Sequence, residues 1–218
     1  MTLETLQSAP KKRKRGRPPK AGGQAVTRER LVRKGIELLT EHGYASTGLD
    51  KTLKAVGVPK GSFYHYFKSK DDFGLAVIEG YANYFSDKLD KSLLNDQFTP
   101  LQRLQNFIDD AKDGMSRHDF RRGCLIGNLG QELGGTHDVF RAQLEAVFKD
   151  WQARIKACLV LARDAGELSR DANCTELAAF FWIGWEGAIL RAKLVRSNAP
   201  LDVFANAFFA QLSKGRMT

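Results

Sequence analysis

The sequence predicts an all-α protein, with an N-terminal three-helix helix-turn-helix domain followed by a larger helical ligand-binding and dimerisation domain, about nine helices together. Three observations predict it. Apolar residues recur at helical spacing from residue 27 to the end of the 218-residue chain, no run alternates with period two between turn signals, and glycines stand where helices should stop. At 43% hydrophobic and 27% charged, with 14 Phe and 3 Trp, the chain has ample material for a packed core.

Residues 1–26 hold Pro, Gly, Lys and Arg with little to bury and read as a disordered basic arm. Thr27 reads as the N-cap of the first helix, whose stripe of Leu31, Gly35, Leu38 and Leu39 ends at His42-Gly43. Gly35 in mid-stripe costs about 1 kcal/mol against Ala, which implies a second helix pressed close against it. Thr47 then caps a short helix presenting Leu49, Leu53 and Val56 and stopping at Gly57. After Val58-Pro59, residues Lys60 to Phe67 make about two turns with Phe63 and Phe67 on the buried side. Short helix, tight glycine turn and short helix are the helix-turn-helix signature. Residues 27–70 thus form the head and 71–218 the body. The body's helices are expected over Lys70–Leu94, Pro100–His118, Cys124–Leu133, Val139–Gly166, Thr175–Arg196 and Leu201–Lys214.

Charge divides along the chain. Overall, 34 Lys+Arg stand against 25 Asp+Glu, a net of +9. The first 70 residues hold 16 of those cations against 5 acids, and the rest holds 18 against 20. A basic, polyanion-binding end on a near-neutral body is the simplest physical reading. No apolar stretch reaches the roughly 18 residues a membrane span needs. The greasiest run, Leu177 to Leu190, contains Glu186. The basic N-terminus lacks a following apolar segment of signal-peptide type, and three cysteines make no disulfide framework, so a reducing, cytoplasmic and nucleoid-associated setting is expected. His42, His65, His118 and His137 are scattered and no Cys/His pair has ligand spacing, so neither metal nor cofactor is expected.

The block Gly57-Val58-Pro59-Lys60-Gly61-Ser62-Phe63-Tyr64-His65-Tyr66-Phe67-Lys68-Ser69-Lys70 carries the strongest functional signal. Its polar side offers Lys60, Ser62, Tyr64, His65 and Tyr66 without an acid, which suits a major groove. Gly61 lets backbone approach phosphate, and Lys70 can meet a phosphate that is also attracted by the N–H groups opening the next helix. A plain solvated face on a three-helix core is the alternative. At these residues, from about Thr27 to Leu75, the chain resembles the TetR family of bacterial transcriptional regulators. The resemblance implies a homodimer, a helix-turn-helix head on each subunit, a double-stranded DNA operator, and release on binding a small-molecule effector. It further implies DNA contacts from Thr47 and Lys70 on phosphate, Lys60, Gly61 and Ser62 at the recognition-helix start, and Tyr64 and His65 along it. At Thr52-Leu53 the chain departs from the family's usual aliphatic-Ala pair, which touches the seating of the second helix.

The arm contains Arg15-Gly16-Arg17-Pro18-Pro19-Lys20, whose Arg-Gly-Arg-Pro core resembles AT-hook peptides. Gly and Pro keep such a chain narrow, so Arg15, Arg17 and Lys20 are expected on an A·T-rich minor groove or its phosphates. A nuclear localisation signal and a merely solubilising tail are the competing readings.

In the body, Arg121-Arg122-Gly123-Cys124-Leu125-Ile126-Gly127-Asn128-Leu129-Gly130-Gln131-Glu132-Leu133 mixes glycines with polar residues in an apolar region. Asn128, Gln131 and Glu132 are expected as the few polar groups of a mostly apolar ligand cavity. Cys124 follows two arginines at a helix start, an environment that lowers a thiol pKa, although a free cysteine is more often a small buried hydrophobe. Trp182 and Trp185, on an apolar helix with Phe181 and Ala188, are candidate ligand contacts weighed against plain core, and Leu201, Phe204, Phe208 and Gln211 suit a dimer bundle. The segment resembles a subgroup of the family with Gly-Cys-Leu in the sensor domain, and the whole chain is similar to an acrylate-responsive member. That implies acrylate, or a similar small unsaturated carboxylate or electrophile, as effector. Two other functions stay open: an architectural A·T-rich DNA-binding protein without a ligand, and an enzyme built on Cys124, His118 and Glu132, for which no catalytic signature is present.

Overall fold

The computed structural model describes residues 21–214, and side chains from 23 to 212. Eight α-helices and one 3₁₀ helix follow in order among the described residues, with no strand: α1 (Ala21–His42), α2 (Leu49–Val56), the 3₁₀ helix (Lys60–His65), α3 (Lys70–Leu93), α4 (Pro100–Ser116), α5 (Leu125–Leu133), α6 (Asp138–Asp164), α7 (Cys174–Val195) and α8 (Ala199–Lys214). Positive-φ glycines end α1 and α2 as expected, Gly43 at +80° and Gly57 at +72°.

Two boundaries differ from expectation. Residues 21–26 are helical rather than arm, so Thr27 lies inside α1 and its hydroxyl donates to the Gly23 carbonyl at 2.8 Å instead of capping. Nothing between Ala21 and Val26 breaks a helix more strongly than glycine does. Thr47 is not the N-cap of α2 either. Gly48 holds that place, and the buried Thr47 hydroxyl donates to the Leu38 carbonyl at 3.3 Å.

The close approach foreseen at Gly35 is real, because a Cβ there would lie 2.6 Å from the Phe73 ring and from Val77 of α3. Helix α3 packs on α1 and, from Gly74 against Phe140 to Asp90 against Arg154, on α6, and also meets α4, so one helix starting at Lys70 joins head and body. The core runs without a break from Leu31 and Phe63 in the head to Trp151, Trp185 and Phe208 in the body. No described helix is long and apolar enough to cross a membrane.

Candidate DNA-binding head and effector cavity

The recognition segment is a six-residue 3₁₀ helix rather than two α-turns. Phe63 and Phe67 are each 2% exposed, and their rings meet Phe73 of α3 at 6.1 and 5.0 Å, which fixes the segment from below. Tyr64 stands out at 72% exposure, and Lys60, Gly61 and His65 are exposed beside it. Ser62 and Tyr66 are half-buried, and Tyr66 packs on the core rather than on the outer face.

The surroundings of this face bear on three expectations. An acid does stand beside it, since Asp50 of α2 pairs with Lys60 at 2.9 Å. Both side chains are well exposed, so a phosphate can compete for the ammonium. Thr47, 2% exposed with its hydroxyl committed inward, offers DNA no side-chain surface. Lys70 is half-buried, donates to the Tyr44 carbonyl at 3.0 Å and lies 4.1 Å over the Tyr44 ring. It holds the α1–α2 turn against α3. Thr52 and Leu53 both enter the core, which seats α2, but Thr52 Oγ1 finds no hydrogen-bond partner. Arg15, Arg17 and Lys20 lie outside the described residues.

Below the head, α1, α3, α4 and α7 line a cavity of about 900 Å³ that opens to the surface. Its walls are Ile36 and Arg33 from α1, Tyr81 and Phe85 from α3, Met115 from α4, and Trp185 and Glu186 from α7. Of the six ligand-site candidates, Cys124 and Trp185 line it. Trp182 packs behind Phe85 against Trp151 at 5.0 Å, its Nε1 without a partner. Gln131 is exposed to solvent.

Asn128 and Glu132 do something else. Asn128 Nδ2 donates to the Thr40 carbonyl of α1 at 3.0 Å, while its Oδ1 accepts from Lys193 of α7 at 3.2 Å. One turn further, the Glu132 carboxylate accepts from the backbone N–H groups of Tyr44 and Ala45 at 2.7 and 2.6 Å. Helix α5 therefore touches the cavity at its capping residue Cys124 and grips the head at its far end. Tyr44 adds to this junction by donating to Asp71 at 2.5 Å and stacking edge-on against Phe140 at 5.3 Å. Burial and the neighbouring Asp71 push its hydroxyl pKa upward.

The arginines ahead of Cys124 do not activate it. Arg122 reaches Glu41 at 3.7 Å, Arg121 is exposed, and burial followed by the nearby Glu186 carboxylate raises the Cys124 thiol well above its ordinary pKa. Cys124 instead caps α5, its Sγ accepting from the Gly127 N–H at 3.4 Å.

Glu186 is the cavity residue that the site expectations lacked. The residue as a whole is half-buried, yet its carboxyl Oε1 is shielded from solvent and has no hydrogen-bond partner among the described residues. Gly127 makes room for it, since any side chain at 127 would collide with Glu186 Oε2. Burial pushes the Glu186 carboxyl pKa up to about 7, against a smaller lowering by its hydrogen bond with Cys124.

The outer side of α7 carries Phe180, Ile183, Leu190 and Leu194, spaced for one face of a helix and all exposed, with Ile183 at 73%. Leu201 and Phe208, expected in a dimer bundle, are buried inside the subunit, and Phe204 packs onto Gly184 of α7.

A polar recognition segment anchored on a helical body that also holds a cavity has the form of a DNA-binding regulator. The chain belongs to the TetR family: the profile of bacterial regulatory proteins of the tetR family matches residues 31–77, and that of the tetracyclin repressor-like C-terminal domain matches residues 100–208. It is 52% identical to the transcriptional regulator AcuR of Cereibacter sphaeroides over 94% of each chain. It is 35% identical to the HTH-type transcriptional repressor DhaR of a Mycobacterium species, over 85% of this chain and 91% of that one. The crystal structure of the regulatory protein TetR from Rhodobacter sphaeroides, 52% identical, superposes with a TM-score of 0.82 over 85% of this chain and 98% of that one. Reduced NemR of E. coli, 29% identical, does so with a TM-score of 0.78 over 84% and 95%. The chain is a transcriptional regulator of the TetR type and not an enzyme.

Proposed function

We propose that the protein is a homodimeric repressor that holds a palindromic operator through its two heads and releases it when a small unsaturated carboxylate such as acrylate fills the cavity. The observation that carries this is the path through α5: its start lines the cavity at Cys124, and its end holds the α1–α2 turn through Glu132. A ligand that favours one seating of α5 over another thereby favours one seating of the head.

Lys60, Gly61, Ser62, Tyr64 and His65 meet the major groove, with Lys60 exchanging Asp50 for a phosphate. The arm residues Arg15, Arg17 and Lys20 add sequence-tolerant contacts in the minor groove. The apolar face of α7 packs on its counterpart, setting the heads about 34–36 Å apart, one turn of duplex. Division of labour falls near residue 70, with the head before it and the sensing and dimerising body after it.

Fluorescence anisotropy of a labelled palindromic duplex from the regulator's own promoter tests this. Operator affinity at least 10³-fold above random DNA is expected, with loss of binding on adding acrylate. Equal affinity for operator and random duplex would indicate an architectural coat instead. Tight operator binding unaffected by acrylate would refute the effector while sparing the repressor.

A further inference from the structure

Resting on the reading of the cavity as the site of a small carboxylate effector, we infer that Glu186 is the residue that selects it, by donating its carboxyl O–H to an oxygen of the bound acid so that the two carboxyl groups share one proton. Three features of the cavity support this. Glu186 lines the cavity, and its Oε1 has no hydrogen-bond partner among the described residues, so an acceptor that reaches it displaces none. Gly127 clears the space in which that carboxyl sits, and a larger residue there would displace it. No salt bridge to it is found among the described residues, and its hydrogen-bonding neighbour is the Cys124 thiol.

An enclosed acid of this kind repels a carboxylate when both are ionised, and binds it through a short, charge-assisted hydrogen bond when one proton lies between them. A carboxyl held near neutrality by burial supplies that proton in the ordinary pH range. The balance is simple. The complex contains one proton and one negative charge, and above the Glu186 pKa the proton must come from buffer. Other ionisable groups around the same space are Arg28, Glu29, Arg33 and Glu37 from α1, Glu79, Tyr81, Tyr84 and Lys88 from α3, and Arg117, His118, Arg122 and Cys124 between α4 and α5. On α7 itself, Lys193 is engaged by Asn128. Arg122 is turned to Glu41, Glu37 to Lys34 and Lys88 to Asp110, and burial keeps Tyr81 and Cys124 in their neutral forms, which leaves Glu29, Glu79 and His118 as the groups to control for.

Calorimetric titration of acrylate into the full-length protein, in two buffers of different ionisation enthalpy between pH 5.5 and 8.5, reads the proton directly. The wild type is expected to take up close to one proton per site at pH 8 and almost none at pH 5.5, with Kd rising about tenfold between pH 7.5 and 8.5. Glu186→Gln, which keeps a donor, should bind with no proton uptake and a flat Kd. Glu186→Leu should bind at least tenfold more weakly at every pH, and Glu29→Gln, Glu79→Gln and His118→Gln should each leave the proton count unchanged. Binding by the wild type without proton uptake, or undiminished binding by folded Glu186→Leu, overturns the assignment while leaving the effector reading intact. Absence of acrylate binding at any pH overturns both.

Discussion

Replacing Glu132 by Ala removes the two hydrogen bonds by which α5 grips the head, those to the Tyr44 and Ala45 N–H groups at 2.7 and 2.6 Å. Hydrogen bonds to a charged group contribute roughly 1.5–3 kcal/mol each, and the exposed Ala45 end sits at the low limit, so the pair is worth about 3–4 kcal/mol. Allosteric coupling free energies are typically about 1–3 kcal/mol. The grip is therefore large enough to carry all of it. With Glu132→Ala, the remaining tie from body to head along α5 is Asn128 on the Thr40 carbonyl, a bond worth about 1 kcal/mol. The factor by which saturating acrylate weakens operator binding should accordingly collapse to less than about fivefold, with operator affinity in its absence changed far less. Anisotropy titrations with and without acrylate give this factor, and by reciprocity the operator's effect on acrylate affinity must fall equally. A coupling factor within twofold of wild type, in a variant whose circular dichroism shows it folded, would refute α5 as the link.

In the recognition segment, Tyr64→Ala should weaken operator binding about tenfold with unfolding stability within about 0.5 kcal/mol of wild type, since that side chain is 72% exposed, whereas Phe63→Ala should cost about 3–5 kcal/mol in a chemical melt and lose DNA binding with it. Thr52→Val exchanges a buried, unpartnered hydroxyl for a methyl group and should raise the denaturation midpoint, by about 1 kcal/mol in stability. Ile183→Glu, a charge at the centre of the exposed α7 face, should yield monomers in analytical ultracentrifugation and half-site binding only. Glu186 makes the free protein lose stability as pH rises: its folded pKa of about 7 exceeds the ordinary 4.5, so its contribution is complete below about 4.5 and is lost as pH climbs through 7. The loss amounts to roughly 3 kcal/mol at most, and Glu186→Gln should abolish that slope in urea melts at pH 5 and pH 8.

Much of the head was legible because its chemistry is local. Phe63 and Phe67 four apart, and a glycine after each of the first two helices, state which side is buried and where the chain turns. The 3₁₀ geometry was not, since six residues satisfy either helix type and only packing on Phe73 decides. In the body, helix order was readable from periodicity, but the direction in which a polar face looks was not. Cys124, Asn128 and Glu132 recur at four-residue spacing, yet which of them faces the cavity and which the head depends on where α1 crosses α5. Nor could spacing show that Thr47 and Lys70 each donate to a main-chain carbonyl brought near by tertiary folding. Glu186 left a visible trace as the one charge within Leu177–Leu190. A carboxylate inside an otherwise apolar helix has to be paired, neutral or functional, and that rule would have placed it among the candidates.

The route from cavity to DNA is short because α1 belongs to both. Its residues from Arg28 to Thr40 line the cavity, and Arg30 donates to the Val56 carbonyl that ends α2. On its inner side α1 cannot yield toward α3. Gly35 already lies against Phe73 and Val77, and Val32 against Gly80, at distances where even one added methyl group would clash. Close-packed contacts of this kind transmit displacement instead of absorbing it. A ligand that presses on α1 can therefore move it only away from α3. The α1–α2 turn, held by Lys70 on one side and Glu132 on the other, decides how much of that movement reaches Tyr64. Since two heads must meet half-sites at a fixed separation, a shift of a few ångströms in each is enough to forfeit one of the two.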